Sequence, residues 1–552
     1  MSRECLPSIP KPRKRQSING LSEPEIRGAP LSHILDNTAA PLHMTSSHSP
    51  VYSLPSQQDR RSDGLIDAVK PKPDAVQSGS RSFVSLFVHS LGLDEYAQSS
   101  FDCLADIDYA FVQDKFAAFE RMSARSPFVE LPSTDLIMMI AKRPVTSLAI
   151  CTVATATNPE LRHRLVRTFR QTISTKCILD DERSVDIMSG LFIHTMWHHR
   201  FMHKQQIYQY LHLLTGMASE QGLHRHFGVD TISSRQSDRE VHLLFLGCYY
   251  LCTTLSGLAS DRPSPFPWSD HLSNVALRFS FRGPFPSNSN TVNLIELGRY
   301  LGDADTAIRR SSESFNTSAH NRAWSLWNNS EAELRRLKGL IQKFTSITPH
   351  LDMQATTIAV SSLVLQNSKH VQTRLLTDMA IGIKDYFETI LAEPPALLFH
   401  FSIVDWTHLL SVIAILMLVL HPRFEKWEAV PGALRNLLEP EVLLDTIVAR
   451  MSAVPAHERH DDLLHWFADL TAKIKMKWQR DKLPRPRTGS DDVSETEARF
   501  RPVNPGMYSG ERCRGSDSHM PMGGLGVCDI DIGRVCKLDL LEDGFWERLL
   551  QS

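Results

Sequence analysis

The stretch Arg239 to Ala259, REVHLLFLGCYYLCTTLSGLA, sets Val241, Leu244, Phe245, Cys248, Cys252, Leu255 and Ala259 at helical spacing, mostly three or four residues apart. On a 3.6-residue helix these side chains form one stripe, whereas a strand, with its period of two, would divide them between both faces. The pattern recurs along the chain. Ile207, Leu211, Leu214 and Ala218 share a face of Lys204 to Gly222, which ends on a glycine suited to the position just past a helix. Trp327, Leu334, Leu337, Ile341 and Phe344 repeat the theme, followed by Leu375, Met379, Ile383, Tyr386 and Ile390, and by Leu463, Phe467, Leu470 and Ile474. No comparable series of alternating strands accompanies them. The chain is therefore predicted to be all-α, a multi-helix bundle in which amphipathic stripes bury one another.

At 552 residues the chain is longer than one core usually grows, so part of it is expected outside the bundle. Residues 1–80 contain ten of the thirty-one prolines and a single aromatic, Tyr52. Such a segment buries too little apolar surface to offset its ordering entropy and is expected to be a disordered arm. Residues 81–483 form the predicted helical domain. Residues 484–528 read as a flexible linker, because Pro484 to Gly526 alone hold seven glycines and five prolines. Residues 529–552 interleave acids with Leu, Phe and Trp. Within the domain, Asp261 to Asn290 is rich in Pro, Gly and Ser and is predicted to be a long loop with a short helix near Ser269 to Leu277. The longest apolar run, Leu409 to Leu420, has twelve residues, fewer than the roughly twenty a spanning helix needs, and reads as a buried core helix.

Lys and Arg total 60 against 62 Asp and Glu, so no global field draws the chain to nucleic acid or to an anionic membrane. Nine cysteines without paired spacing, and an N-terminus without an apolar signal segment, predict a reducing intracellular compartment. Lys11, Arg13, Lys14 and Arg15 place four cations in five positions, which suits the acidic groove of a nuclear import receptor or a phosphate backbone, and equally a solubilising charge run.

Seven histidines lie between His194 and His226. His194 and His198, like His199 and His203, are four apart, the spacing that starts a zinc site. There is no HExxH, Arg200 and Lys204 disfavour a divalent ion, and on one continuous helix the two pairs would lie about 100° apart. Solvated or hydrogen-bonded helix histidines are the expectation, with no metal and no cofactor. Cys248 and Cys252 lie on the apolar stripe and read as small hydrophobes. Cys513, Cys528 and Cys536 have no ligand spacing. The sequence contains no GxSxG elbow, GxxxxGK[ST] loop or strand-borne GxGxxG, so no catalytic residue is assigned. A helical enzyme using His198 or His199 beside a carboxylate in a deep polar pocket is the competing reading.

Trp197-His198-His199, Tyr208 to Leu211 (YQYL), Phe245 to Leu251 (FLGCYYL), the turn with Arg262, Pro263, Pro265 and Trp268, Asp405 to Leu409 (DWTHL) and Gly544 to Leu550 (GFWERLL) follow one another in an order that resembles the fungal zinc binuclear cluster transcription regulators. The likeness covers roughly residues 130 to 480 plus the tail. It implies a nuclear regulator, not an enzyme, whose helical middle region receives control, often over a gene cluster of specialised metabolism, and in which His198 and His199 are architectural. Family members normally start with six cysteines holding two zinc ions and aiming a helix at DNA. This chain has one cysteine, Cys5, before Cys103. Either that module is encoded upstream, bringing zinc and DNA binding with it, or the chain acts through another DNA-binding regulator. Leu538, Leu540, Leu541, Phe545, Trp546 and Leu549 are the candidate anchors for transcription machinery, or for packing back onto the domain. A second copy of the chain is a further candidate partner.

Overall fold

The computed structural model describes residues 80–92, 104, 107–131, 135–155, 158–221, 236–259, 262–281, 287–312, 332, 334–339, 347–367, 373–420, 437–453 and 462–482. All belong to one unit, Pro71–Ser552. The described residues are all-α, with no strand among them. The basic cluster, the 484–528 segment and the tail anchors lie outside them.

The N-terminal half is built around one helix. α1 (Ser80–Ser90) precedes α2 (Tyr109–Ser123), whose Asp108 cap accepts the Phe111 amide at 2.7 Å and whose Val112, Phe116, Phe119 and Met122 face inward. The short α3 (Leu136–Lys142) takes its cap from Asp135 and bends sharply into α4 (Pro144–Ala154). α5 (Pro159–Ile173), capped by Asn158 with proline in its first turn, buries Leu161, Leu165 and Phe169 and loosens into a π turn at Ser174–Leu179. α6 (Val185–Trp197) is buried over nearly its whole circumference, as befits a helix at the centre of a bundle.

α4 and α6 pack most intimately. Pro144 opens α4 without a local cap, and the Asp186 carboxylate on α6 supplies one by accepting the Val145 and Thr146 amides, each at 2.9 Å. The backbones come so close that a Cβ on Gly190 would meet the Val145 Cγ1 and carbonyl oxygen at 2.9 Å. Only glycine fits there.

α6 ends at Trp197. A 3₁₀ turn, His199–Phe201, follows, and α7 (Lys204–Glu220) begins on His203. Ile207, Leu211, Leu214 and Ala218 are buried as their spacing requires. The helix is capped by Gln221, and Gly222 lies outside the described residues.

The C-terminal half has two central helices. α8 (Gln236–Thr254) runs into a π turn at Leu255–Ala259. The stripe expected on it is wider than its spacing suggested, because every residue from Leu243 to Ala259 is buried. Arg239–Ala259 is long and apolar enough to cross a membrane, but 89% of its apolar window lies inside the protein. α9 (Asp270–Phe281) is the short helix expected near Ser269. α10 (Ser287–Ser312) corrects the loop reading of residues 261–290, since it starts inside the Ser-Asn run. Ser and Asn compete with the helical backbone in mid-helix but suit a helix start, so the same residues punctuate and initiate.

α11 (Ile347–Asn367), α12 (Thr373–Ala392), a 3₁₀ turn at Pro395–His400, α13 (Ile403–Leu420), α14 (Pro440–Ser452) and α15 (Asp462–Lys482) complete the unit. Leu409 to Val419 on α13 are all buried, as expected of that apolar run. α13 touches α6, α8 and the π turn at Leu255–Ala259, so these three largely buried helices form one core, about which the amphipathic helices pack. Each large side chain buried there contributes roughly 1.5–3 kcal/mol of transfer free energy before entropy is counted.

Candidate functional site

Among the described residues, His194, His198, His199 and His203 do not assemble a metal site. His194 is fully buried on α6, stacked between the Phe169 ring at 4.2 Å and the His198 ring at 4.5 Å, with Tyr210 edge-on at 5.9 Å. Neither of its ring nitrogens has a hydrogen-bond partner among the described residues, which corrects the expectation of a solvated or hydrogen-bonded side chain. Burial, reinforced by His198 and the Arg170 charge, holds its pKa well below the usual histidine range, so the ring is neutral. His198 caps the end of α6, His199 sits in the 3₁₀ turn with Nδ1 3.0 Å from the Met196 carbonyl oxygen, and His203 begins the next helix. The chain therefore breaks between the two pairs, where one helix was expected. Among the described residues no three His, Cys, Asp or Glu groups are placed to hold a metal ion.

Cys248 and Cys252 are fully buried. Burial raises the Cys248 pKa well above the ordinary thiol range and pushes that of Cys252 to about 12, so both remain protonated, as small hydrophobes do.

The charge chemistry lies elsewhere, in a knot that sequence reading passed over. Arg125, just beyond α2, donates from Nη2 to Asp405 Oδ1 at 3.1 Å, and its guanidinium lies 5.1 Å from the centre of the Phe401 ring. Asp405 also accepts the Ser402 amide at 2.8 Å and hydroxyl at 2.7 Å, while its own amide approaches Ser402 Oγ at 3.3 Å. This reciprocal box starts α13. Burial alone would raise the Asp405 pKa, but Arg125 and the Ser402 donors outweigh it and hold the carboxyl below the usual carboxylate range. Next to it, Tyr250 donates to Asp352 Oδ2 at 2.8 Å, and His408 Nδ1 lies 2.9 Å from Asp352 Oδ1. That second pair is close in distance, but the ring N–H is not aimed along a hydrogen bond. Burial and the Asp352 charge push the Tyr250 phenol well above its ordinary pKa.

A small inner cavity of about 20 Å³ opens in this knot. Trp197, Tyr250, Ser402 and Asp405 line it, so pieces of the WHH, FLGCYYL and DWTHL stretches meet at one place although they are up to two hundred residues apart. The YQYL stretch and the Arg262 to Trp268 turn pack against each other and against α8 and α10, and GFWERLL lies outside the described residues. Arg262 lies over Tyr208 at 4.8 Å, and Trp268 meets the Tyr249 ring edge-on at 5.6 Å with Arg299 over its face at 4.9 Å. These residues join α7, α8 and α10 to the turn through cation–π and aromatic contacts.

Outside the inner cavity lies a cleft of about 720 Å³ between α2, the 124–131 segment and the first turns of α8, α10 and α11. Arg125, Ser126, Pro127, Leu294 and Thr348 border both spaces. An ion pair, Arg239 Nε to Glu130 Oε2 at 2.6 Å, lies on the cleft wall. A signal for this site was present in Arg125 and Asp405, but nothing in sequence joins residues 280 positions apart.

No protein-family model matches the chain, and no solved structure matches it. It is similar to a protein described as transcription factor himD from Aspergillus japonicus, at 22% identity over 268 residues. The match covers 46% of this chain and 40% of that protein, so the chain corresponds to less than half of its relative's length.

Proposed function

We propose that the chain is a nuclear transcription regulator whose helical region, residues 81–483, is the control and partner-contact domain of the fungal zinc binuclear cluster type. The observation that carries this reading is the alignment with a protein described as a transcription factor. It is supported by the meeting, around one cavity, of motifs whose order resembles that family. In this reading Lys11, Arg13, Lys14 and Arg15 serve nuclear import, residues 484–528 are a linker, residues 529–552 present Leu538, Leu540, Leu541, Phe545, Trp546 and Leu549 to transcription machinery, and the helical face is where another DNA-binding regulator would dock. The regulated genes are those of a specialised-metabolite cluster.

Residues 81–552 tethered to a heterologous DNA-binding domain are expected to change reporter expression severalfold in a fungal host, and Phe545→Ala with Trp546→Ala to diminish the change. A tethered protein that reaches the nucleus and leaves the reporter unchanged would overturn the reading. Chromatin occupancy of the native protein, measured with and without its co-purifying DNA binders, separates recognition through a partner from recognition through a six-cysteine segment joined to this chain.

A further inference from the structure

We infer that the cleft beside Arg125 binds a neutral small molecule with an apolar body and a carbonyl or similar acceptor oxygen, the oxygen seated against Arg125, Ser126 and Thr348. The inference stands on cavity geometry and does not depend on the regulatory reading.

The volume is that of a small-molecule site, about 720 Å³ against the roughly 300–1,000 Å³ usual for such pockets. Phe116, Pro127, Val129, Leu131, Leu136 and Leu294 give it apolar walls. Its polar groups converge at the inner end. Arg125 Nε and Nη1, Ser126 Oγ and Thr348 Oγ1 are all buried, and none has a hydrogen-bond partner among the described residues. Buried polar groups in folded proteins are nearly always paired, and these four atoms belong to residues that border both the cleft and the inner cavity, where each can donate to one acceptor oxygen. The inner cavity, at about 20 Å³, admits a group the size of one oxygen or one water.

Charge selects against an anion. Glu120, Glu130, Asp352 and Asp405 line the two spaces against only Arg125 and Arg239, and Arg125 is already bound to Asp405. A carboxylate or sulfonate would add a like charge to a surplus of carboxylates, whereas a carbonyl oxygen accepts from the same donors without that cost. An ammonium head would meet the Arg125 guanidinium, whose Nε and Nη1 donate and cannot accept.

The full-length protein is titrated with 6-propionyl-2-dimethylaminonaphthalene, a neutral fluorescent ketone whose emission shifts to the blue when it leaves water. One saturable site per chain with blue-shifted emission is expected. The anionic dye 8-anilinonaphthalene-1-sulfonate is expected to bind at that site about tenfold more weakly or worse. Ala117→Trp, from the exposed face of α2 that borders the cleft, should reduce ketone affinity by more than about tenfold. Gln113→Trp, one turn earlier on that face, carries the same test should the first variant fail to fold. Ser126→Ala combined with Thr348→Val should weaken binding about tenfold, the value of one or two lost hydrogen bonds, with the melting temperature nearly unchanged. Absence of saturable binding, binding untouched by the tryptophan variants, or sulfonate binding at that site as tight as ketone binding would each overturn the proposal.

Discussion

His194 shows how little of a residue's role is written in its spacing. The i,i+4 pair with His198 was legible, but the burial that governs both rings depends on Phe169 and Tyr210 arriving from other helices. Because burial depresses its folded-state pKa below the unfolded value of 6.5, the unfolded chain takes up a proton first as pH falls. Its contribution is therefore complete above about pH 6.5 and lost below it, by up to about 1.4 kcal/mol per pH unit. His194→Phe, which keeps an aromatic ring where neither nitrogen is bonded, is expected to change stability at pH 7.5 by no more than about 1 kcal/mol. It should also flatten the decline between pH 6.5 and 5.5, as read from urea midpoints at the two values. Asp405 obeys the same linkage at lower pH. Its folded pKa is depressed, so its stabilisation is present above the ordinary carboxylate range and disappears as pH falls through the folded value. Asp405→Asn leaves Arg125 charged with its main partner gone, and should cost about 3 kcal/mol in denaturant melts.

At the scale of helices, periodicity identified α7, α8, α12 and α15 and the apolar run of α13, because a stripe of large side chains is a local property of the chain. Two features escaped it. The start of α10 was hidden because Ser and Asn serve loops and helix starts alike. The cap on α4 was hidden because its donor groups and its acceptor, Asp186, stand on different helices some forty residues apart. Asp186→Ala removes both capping bonds within the interior and is expected to destabilise the protein by about 2 kcal/mol, a loss that equilibrium unfolding would register. Gly190→Ala would drive a methyl group into the Val145 backbone, where no rotamer change can make room. A loss of about 1–3 kcal/mol is expected for it, measured in the same way.

Across the whole molecule, the knot of Arg125, Asp405, Tyr250 and Asp352 ties the segment after α2 to α8, α11 and α13, which makes separate unfolding of the two halves costly. Tryptophan fluorescence, to which the buried Trp197 and Trp406 contribute among the nine tryptophans, and far-ultraviolet dichroism, reporting helix, are thus expected to trace one coincident urea transition. In Asp405→Asn the two curves should separate. The all-α class was readable without coordinates because class depends on repeated local pattern. The site was not, since a cavity is a property of which helices meet, and single-sequence reading carries no such pairing. The π turn at Leu255–Ala259 holds a last consequence. A wider coil stores a residue more than a regular helix needs, and there Gly257 lies so near Leu301 that a Cβ would come within 2.6 Å of it. Excising one residue from this turn would let α8 wind evenly to its end, yet rotate everything after it by about 100°. The Arg262 to Trp268 turn would then come off Tyr208 and Tyr249, so length along this stretch is constrained more tightly than side-chain identity.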